Sequence, residues 1–392
     1  MIWSGSGYFA FSLFVKPLQA DLGWHRSTIM AAFMFWSMTL GIACIFAGKA
    51  VDQYGARRVM LAGAIITGLG FLSLSLMNTR AHFYISYIVV GAGTAAMGSV
   101  PCTAVISNWF EEKRGLALGL TSTGVGLGGL IISPLIGSLI IPLLGWRVAY
   151  LSLGLMTCLI VIPLTIFVIK SRPDGSNTGS GESRDAGIKE QRPSREFSPA
   201  GAGPGRPLMS APLWLISIAF LLSQFSLTGS LQSQVPHFED VGLPVAVAAN
   251  VLGGVGLISS FSKFFFGWLC DIIKVKYAFI LAVLFEAGGT FILMSIGPTS
   301  HPSLLWLYIL IMGLGAGSWL PVMSMFVSTH FGLAAYGTLF GVVNFALSVG
   351  VAAGPLMAGY IYDAKENYHL AFLIFMCIYL FAAISALLVR KP

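Results

Sequence analysis

Long apolar stretches recur along the whole of this 392-residue chain. A helix that crosses a bilayer needs about 20 mostly apolar residues, and we place spans near residues 1–20, 27–49, 58–78, 83–107, 115–141, 147–170, 212–236, 245–268, 277–297, 303–328, 337–362 and 368–389. Only 9% of the residues are charged, whereas a soluble domain carries about 25%. The sequence therefore predicts an all-α integral membrane protein with twelve transmembrane helices.

A polar segment separates the sixth span from the seventh. Residues 171–211 are rich in Gly, Ser, Pro and mixed charge, and they hold too few apolar residues to fold alone. We interpret this segment as a cytoplasmic linker, with a regulatory role as the alternative. It divides the chain into an N-terminal six-helix bundle, residues 1–170, and a C-terminal six-helix bundle, residues 212–392.

The basic residues predict how the chain is oriented. One set of loops and ends contains sixteen Lys and Arg, whereas the other set contains only Arg26, Arg80, Arg147 and Lys365. Because Lys and Arg are retained on the cytoplasmic side, we expect a multi-pass protein of the cell membrane with both termini in the cytoplasm. The formal charge of +7 then reflects this bias, and we expect no nucleic-acid partner.

The two halves of the chain repeat each other. The fifth span contains Gly115, Gly119, Gly128, Pro134 and Gly137, and the eleventh contains Gly337, Gly341, Gly350, Pro355 and Gly359. Each pair is separated by 222 residues, except for the prolines at 221. Duplicated six-helix halves are typical of transporters that rock around a midplane site, so the two bundles should be pseudo-symmetric.

Residues 48–58, between the second and third spans, read GKAVDQYGARR. They resemble the loop motif G-x-x-x-D-x-x-G-x-R-R of the major facilitator superfamily, and the resemblance implies the major facilitator fold. A second copy keeps its glycine and aspartate between spans eight and nine. Carboxylates near helix ends can pair with arginines in one state and release them in another, so we predict gating residues at Asp52, Arg57, Arg58 and Asp271. The alternative is that these charges only fix the topology.

Two further segments resemble one branch of that superfamily. Residues 108–124, NWFEEKRGLALGLTSTG, are similar to the fifth-helix signature of the monocarboxylate porter family. Residues 21–27, DLGWHRS, are similar to the bacterial members of that family and to the neighbouring oxalate/formate antiporters. This resemblance implies a small organic anion as the substrate.

Ionisable groups at membrane depth are costly and usually functional, and Lys16, Lys263 and Glu286 fall inside predicted spans. The resembling porters have an arginine at the position of Lys263, where it binds the substrate carboxylate, and a lysine can supply the same charge without the planar fork. Ser259 stands where the family commonly has an acidic residue. Phe9 stands near the position of a lysine in the eukaryotic members, so that part of their proton relay is absent. The alternative role for Lys263 is snorkelling.

Glu286 offers a replacement for the missing relay. Spans eight and nine form a hairpin that brings Lys263 and Glu286 to the same depth within ~3–4 Å, so we predict a Lys263–Glu286 pair. A substrate carboxylate at Lys263 would displace Glu286, whose uptake of a proton would couple the two movements. The alternative is a neutral, structural Glu286. Lys16, near the outer end of the first span, either attracts anions or snorkels.

Four further candidates for substrate binding lie on the spans that ordinarily line the cavity of such transporters. Tyr8, Ser99, Trp319 and Asn344 could bind or pack against a small organic anion, although ordinary helix contacts explain each of them equally well. With a single central cation, charge balance favours a monoanion.

These features predict a secondary active transporter that moves a small, lactate-like monocarboxylate with a proton by alternating access. The alternative is a proton-coupled antiporter that exports drugs or other amphipathic compounds, although Lys263 disfavours a cationic substrate. A non-transporting receptor or scaffold would need a folded cytoplasmic domain, which the linker of residues 171–211 does not provide. No metal-ligand cluster, nucleophile elbow or phosphate loop is visible in the sequence, so we expect a monomeric non-enzyme in the lipid bilayer, with no catalytic residue, metal or cofactor.

Overall fold

The computed structural model describes residues 7–98, 100–102, 105–106, 114–167, 169, 210–298, 300–331 and 336–389. Nearly all of the predicted linker and the candidate Ser99 lie outside these residues, as does the side chain of Asp52. Within the described ranges every regular element is a helix. The predicted all-α class is confirmed.

We label the helices of the described residues α1 to α12 in chain order. In the N-terminal half, α1 comprises Phe11–Phe14 and Val15–Leu22, α2 is Arg26–Tyr54, α3 is Ala56–Ser75, α4 is Arg80–Met97, α5 comprises Arg114–Pro134 and Leu135–Ile140, and α6 comprises Ile141–Met156, Thr157–Val161 and Ile162–Phe167. In the C-terminal half, α7 is Ala211–Asp240, α8 is Val245–Ile272, α9 is Val275–Ser295, α10 comprises Pro302–Ala316 and Trp319–Phe331, α11 is Tyr336–Lys365, and α12 is His369–Leu388.

Ten helical stretches in the described residues are long and apolar enough to cross a membrane. One of them, Thr123–Phe167, has 45 residues, more than twice the ~20 that one crossing needs. Its helix breaks at Gly145, where φ is +83°, so this stretch contains both the fifth and the sixth predicted spans. The ten stretches thus hold eleven of the predicted spans, and the short α1 corresponds to the remaining one.

The packing of the helices repeats between the halves, as the sequence repeat predicts. In the N-terminal half α2 packs against α4, α3 against α4, and α3 against α6. In the C-terminal half the helices six places later make the equivalent contacts, α8 with α10, α9 with α10, and α9 with α12. Each half is therefore one copy of the same arrangement.

The halves meet along two lateral helix pairs, α2 with α11 and α5 with α8. Glycines permit the close approach: a Cβ at Gly256 of α8 would lie 2.8 Å from the Gly126 carbonyl oxygen of α5, and one at Gly359 of α11 would lie 2.8 Å from the Ser27 Cα of α2. Backbones this close require small residues at the crossing. The repeated Gly137 and Gly359 occupy equivalent crossings, since Gly137 of α5 contacts Ala249 of α8.

We call the end that carries the α1–α2 and α7–α8 connections the closed end, and the end that carries the α2–α3 and α8–α9 connections the opposite end. The described contacts between the halves run from the closed end to mid-length. They include Ser27 with Gly359 near the closed end, and Gly41 with Ser348 further along. Between α5 and α8, the Ser260 hydroxyl donates a hydrogen bond to the Thr123 carbonyl oxygen, at 3.0 Å.

The α5–α8 crossing supplies a test of this packing. In Gly256→Val the new side chain overlaps the Gly126 carbonyl, so we expect the free energy of unfolding to fall by about 1–3 kcal/mol. Gly267→Ala is the matched control, because nothing lies within 4 Å of a Cβ there. Thermal unfolding of the purified protein measures the stability of both variants. An unchanged melting temperature in Gly256→Val would contradict the tight crossing.

Candidate functional site

Lys263 lies on the interior face of α8. Phe261, Phe265 and Trp268 on the same helix are exposed, as side chains that face lipid are. Lys263 is two residues from both Phe261 and Phe265, and a separation of two residues places a side chain on the opposite side of an α-helix. Lys263 itself is half-buried. It lies one turn beyond Ser260, the residue that contacts α5. The ammonium group therefore belongs to the face that α8 turns towards the N-terminal half, not to the lipid face.

The remaining predicted substrate residues are placed as follows. Ser259 is buried one turn before Lys263, and its hydroxyl donates to the Gly256 carbonyl oxygen, at 2.8 Å. Asn344 is half-buried on α11, and its backbone carbonyl oxygen accepts a hydrogen bond from the Ser348 hydroxyl, at 2.9 Å. Trp319 is half-buried at the start of the second segment of α10.

Tyr8 precedes Phe11–Phe14 and belongs to an aromatic cluster. Its ring centroid lies 5.2 Å from that of Phe9, 5.8 Å from that of Phe33 and 6.3 Å from that of Trp36. Its backbone carbonyl oxygen accepts a hydrogen bond from Gln232 Nε2 of α7, at 3.0 Å. Tyr8 therefore lies where α1 of one half touches α7 of the other.

Glu286 is buried in the C-terminal half, at 1% exposure. Ser223 of α7 donates a hydrogen bond to its Oε2 at 2.8 Å, and the side chain packs against Gly315 of α10. Glu286 therefore lies inside the C-terminal half, between α7 and α10.

The predicted Lys263–Glu286 pair is not formed in this structure. The ion pairs among the described residues are Lys16–Asp240, Arg26–Asp240 and Arg147–Asp21, and Glu286 bonds to Ser223 instead. The hairpin fixes the depth of the two residues but not the direction in which each helix turns its side chain. Glu286 faces α7, whereas Lys263 lies on the α8 face that contacts α5.

Helix α7 presents a polar face that the sequence analysis missed. Residues 223, 226, 230, 234 and 237 recur at helical spacing, and all are buried Ser, Gln or His. Ser230 bonds to Thr290 of α9 at 3.1 Å, Gln234 accepts from Tyr308 of α10 at 2.6 Å, and His237 bonds to the Leu293 carbonyl oxygen at 3.1 Å. Polar groups buried in a membrane bundle need such partners. The recurring Ser and Gln of residues 223–234 were the available signal.

The predicted gating residues lie at the opposite end. Arg57 donates to the Ile166 carbonyl oxygen of α6, within its own half, and Arg58 and Asp271 are exposed. Among the described residues, a Cβ at Gly48 would meet Val100, at 3.8 Å. Their gating role therefore stays a prediction, and it applies to a state in which this end is shut.

The ion pairs that join the halves lie at the closed end. Arg26 of α2 is 2% exposed, and its two terminal nitrogens donate to the two carboxylate oxygens of Asp240 of α7, at 2.6 and 2.8 Å. Lys16 of α1 lies 2.8 Å from Asp240 Oδ1. Asp240 therefore binds one cation from each of the first two helices.

Further groups complete this closed-end cluster. The Arg26 guanidinium lies 3.5 Å from the centre of the Tyr362 ring, Nη1 donates to the Tyr368 hydroxyl at 2.9 Å, and Nε donates to Gln19 at 3.0 Å. Asp363 of α11 accepts from the backbone N–H groups of Arg26 and Ser27, both at 2.9 Å. Breaking a buried pair of this kind by removing one partner costs about 3–5 kcal/mol.

Lys16, Arg26, Asp240 and Asp363 were all visible in the sequence but were not assigned to a gate. Arg26, Asp240 and Asp363 stand at helix ends, where charged side chains are ordinarily solvated. Arg26 entered only the count of basic residues and the resemblance of residues 21–27. The pairing connects residues 214 positions apart. Only the docking of the two halves brings them together.

Two pseudo-symmetric helical bundles, with ionisable groups on their interior faces and a buried ion-pair cluster between them, define a membrane transport protein. The sequence profile of the Major Facilitator Superfamily matches residues 1–346 and again residues 213–392. The chain belongs to the Major Facilitator Superfamily. The family resemblance seen in the loop motif is thereby confirmed.

Two relatives and one solved structure illustrate the similarity. Monocarboxylate transporter 13 from Bos taurus is 25% identical over 88% of this chain and 77% of its own length. The oxalate:formate antiporter of Oxalobacter formigenes is 23% identical over 86% of this chain and 75% of its own. A bacterial homologue of the human lysosomal transporter Spinster, solved inward-facing and occupied, superimposes with a TM-score of 0.77 at 14% identity, over 100% of this chain and 95% of that one.

The contact of Asp363 with α2 supplies a test of the closed-end cluster. In Asp363→Ala the N–H groups of Arg26 and Ser27 lose their acceptor, so we expect their amide hydrogens to exchange about tenfold faster, for a loss of about 1.4 kcal/mol. Hydrogen–deuterium exchange of the peptide over residues 24–30 measures this. Lys365→Ala, which removes a side chain from the same end of α11 with no bond to α2, is the control. Equal protection in both variants would show that Asp363 does not hold the halves together.

Proposed function

We propose that this protein is a secondary active transporter that moves a small monocarboxylate with a proton by alternating access. The observation that carries the proposal is Lys263, a lysine on the interior face of α8 that is turned towards the other half. The named functions of Monocarboxylate transporter 13 and the oxalate:formate antiporter support a carboxylate as the substrate class.

A lysine inside a membrane bundle is costly unless it serves a purpose, and an anionic guest provides one. A carboxylate needs a cation or several donors when it leaves water, and the ammonium offers three donors. Ser259, Asn344, Trp319 and Tyr8 are the proposed walls of the same site. A single ammonium balances a single negative charge, which favours a monocarboxylate over a dicarboxylate.

Glu286 is the proposed proton site. Among the described spans, Glu286 is the acidic residue that lies far from a helix end. Carboxyl groups inside membranes commonly belong to proton relays. Since Glu286 bonds to Ser223 of α7 and not to Lys263, proton and anion would bind at separate places. Coupling would then proceed through movement of the helices that carry the two sites, not through direct competition.

The orientation predicted from the basic residues places the closed end outside the cell. With that orientation, the described state is shut on the outside by the Arg26–Asp240 cluster. The arginines of the 48–58 motif would shut the cytoplasmic end in the alternate state. Alternation between these two closures is how a transporter with two repeated halves carries its substrate across.

The anion site is tested in proteoliposomes with a panel of labelled monocarboxylates and dicarboxylates at two pH gradients. Lys263→Ala should lower initial uptake of the preferred monocarboxylate at least about tenfold, since a charged partner of the carboxylate is lost. Lys263→Arg should retain a substantial part of the uptake, because the charge is kept. An amphipathic cation in the panel tests the drug-export alternative.

Unchanged monocarboxylate uptake in Lys263→Ala would remove the assigned site. Transport of the amphipathic cation, without transport of any carboxylate, would replace the proposed function with drug export.

The proton site is tested with Glu286→Gln, which keeps the shape of the side chain and an acceptor for Ser223. We expect carboxylate exchange at equal pH on both sides to persist, because exchange needs no net proton movement. Uptake driven by a pH gradient should fall to the level seen without the gradient. Ser223→Ala controls for loss of the hydrogen bond alone. If Glu286→Gln still accumulates substrate in response to the gradient, Glu286 is structural.

A further inference from the structure

The closed-end cluster has the chemistry of a carboxylate-binding site. One carboxylate, that of Asp240, lies between the guanidinium fork of Arg26 and the ammonium of Lys16, with three contacts of 2.6–2.8 Å. A two-point Arg–carboxylate contact is the geometry that proteins use to select this group. Gln19 fixes the guanidinium by accepting from Nε at 3.0 Å.

The two sides of the cluster belong to different halves of the molecule. The cations and Gln19 lie on α1 and α2, whereas Asp240 and Asp363 lie on α7 and α11. The Tyr362 and Tyr368 rings beside the guanidinium also belong to the C-terminal half. When the halves separate at this end, the N-terminal half keeps two positive charges and loses the carboxylate that neutralised them.

A recess already leads to this place. A cavity of about 520 Å³ at the closed end is lined by Lys16, Pro17, Gln19, Ala20 and Glu239. Lys16 retains 27% side-chain exposure although it is paired. Glu239 also leaves with α7 when the end opens, since it is part of that helix. The Lys16 ammonium is therefore the side of the site that solutes reach first.

We infer that Lys16 and Arg26 form an outer capture site for the substrate carboxylate when the closed end is open, and that Asp240 occupies this site as a tethered competitor when the end is shut. The inference rests on the proposed carboxylate substrate. Closure then expels the anion from the capture site, because Asp240 offers the same charge at a higher local concentration. The expelled anion is free to move inward, towards Lys263.

The competing explanation is that these ion pairs only hold the end shut. The two explanations predict opposite changes in KM for Lys16→Gln. If the pairs only hold the end shut, then Lys16→Gln and Asp240→Asn both favour the open state, and both lower KM for uptake from the closed-end side. If Lys16 and Arg26 also bind substrate, Lys16→Gln raises that KM because it removes a ligand. Asp240→Asn lowers the KM under either explanation, because it removes the competitor or weakens the clamp.

The experiment measures initial uptake of the preferred monocarboxylate against its concentration, in vesicles of one orientation and from each side in turn. We expect Lys16→Gln to raise KM from the closed-end side at least about threefold and to leave KM from the other side within about twofold. Asp240→Asn should lower KM from the closed-end side. Arg147→Gln is the control, because Arg147 lies at the same end but pairs with Asp21 of its own half, at 3.7 Å.

Arg26→Lys gives a second measurement should Lys16→Gln fold poorly. It keeps the charge and loses the fork, so KM from the closed-end side should again rise. A fall in KM for these variants, or no change, overturns the capture site. If none of the panel carboxylates is transported by the wild type, the proposed function has failed. If carboxylate uptake is normal and depends on Lys263, but KM from the closed-end side is unchanged in Lys16→Gln and Arg26→Lys, only the capture site has failed.

Discussion

The buried guanidinium of Arg26 is the constraint on which the described state depends. A guanidinium keeps its charge at any relevant pH, so it cannot be buried at 2% exposure unless a carboxylate is supplied with it. That carboxylate, Asp240, lies on the other half of the molecule. The closed end can therefore be shut only when the halves are docked in the correct register, and any opening of this end would have to rehydrate Arg26. Intermediate positions would leave the charge neither paired nor solvated, which favours two discrete states.

Helix α7 connects this end with the interior of the C-terminal half. It is one continuous helix from Ala211 to Asp240. Asp240 stands at its closed end, whereas Ser223 contacts Glu286 about 25 Å away along the helix, at 1.5 Å per residue. Because the buried polar face between them is bonded to α9 and α10, α7 moves with its half as a unit. A change in the ion pairs of Asp240 would therefore act on the same helix that positions the proposed proton site through Ser223.

The fold was largely predictable from the sequence, whereas the partners of the charged side chains were not. Twelve spans, the repeat and the family follow from hydropathy and from the glycines at 222-residue spacing, because both are local or periodic properties. The depth of Lys263 and Glu286 could be calculated in the same way. Their directions could not, since a small rotation of either helix decides whether they meet, and Glu286 turned to Ser223. Arg26 and Asp240 were out of reach for a different reason: helix-end charges are ordinarily solvated, and only the docking of two halves buries these.

In the proposed carboxylate transporter, with its closed end outside the cell, the arrangement of cations would give the anion an order of events. While the closed end is shut, Asp240 neutralises Lys16 and Arg26, so the outer cations offer no site for a second anion. Lys263 is the proposed second site, on the interior face of α8 and further from the closed end. In the proposed alternate state, the outer cations would be released as the opposite end closes around its own charged motif. Under this proposal, a carboxylate site at the closed end, which Asp240 blocks when that end is shut, and a second site at Lys263 would pass an anion inward without an open path from one side to the other.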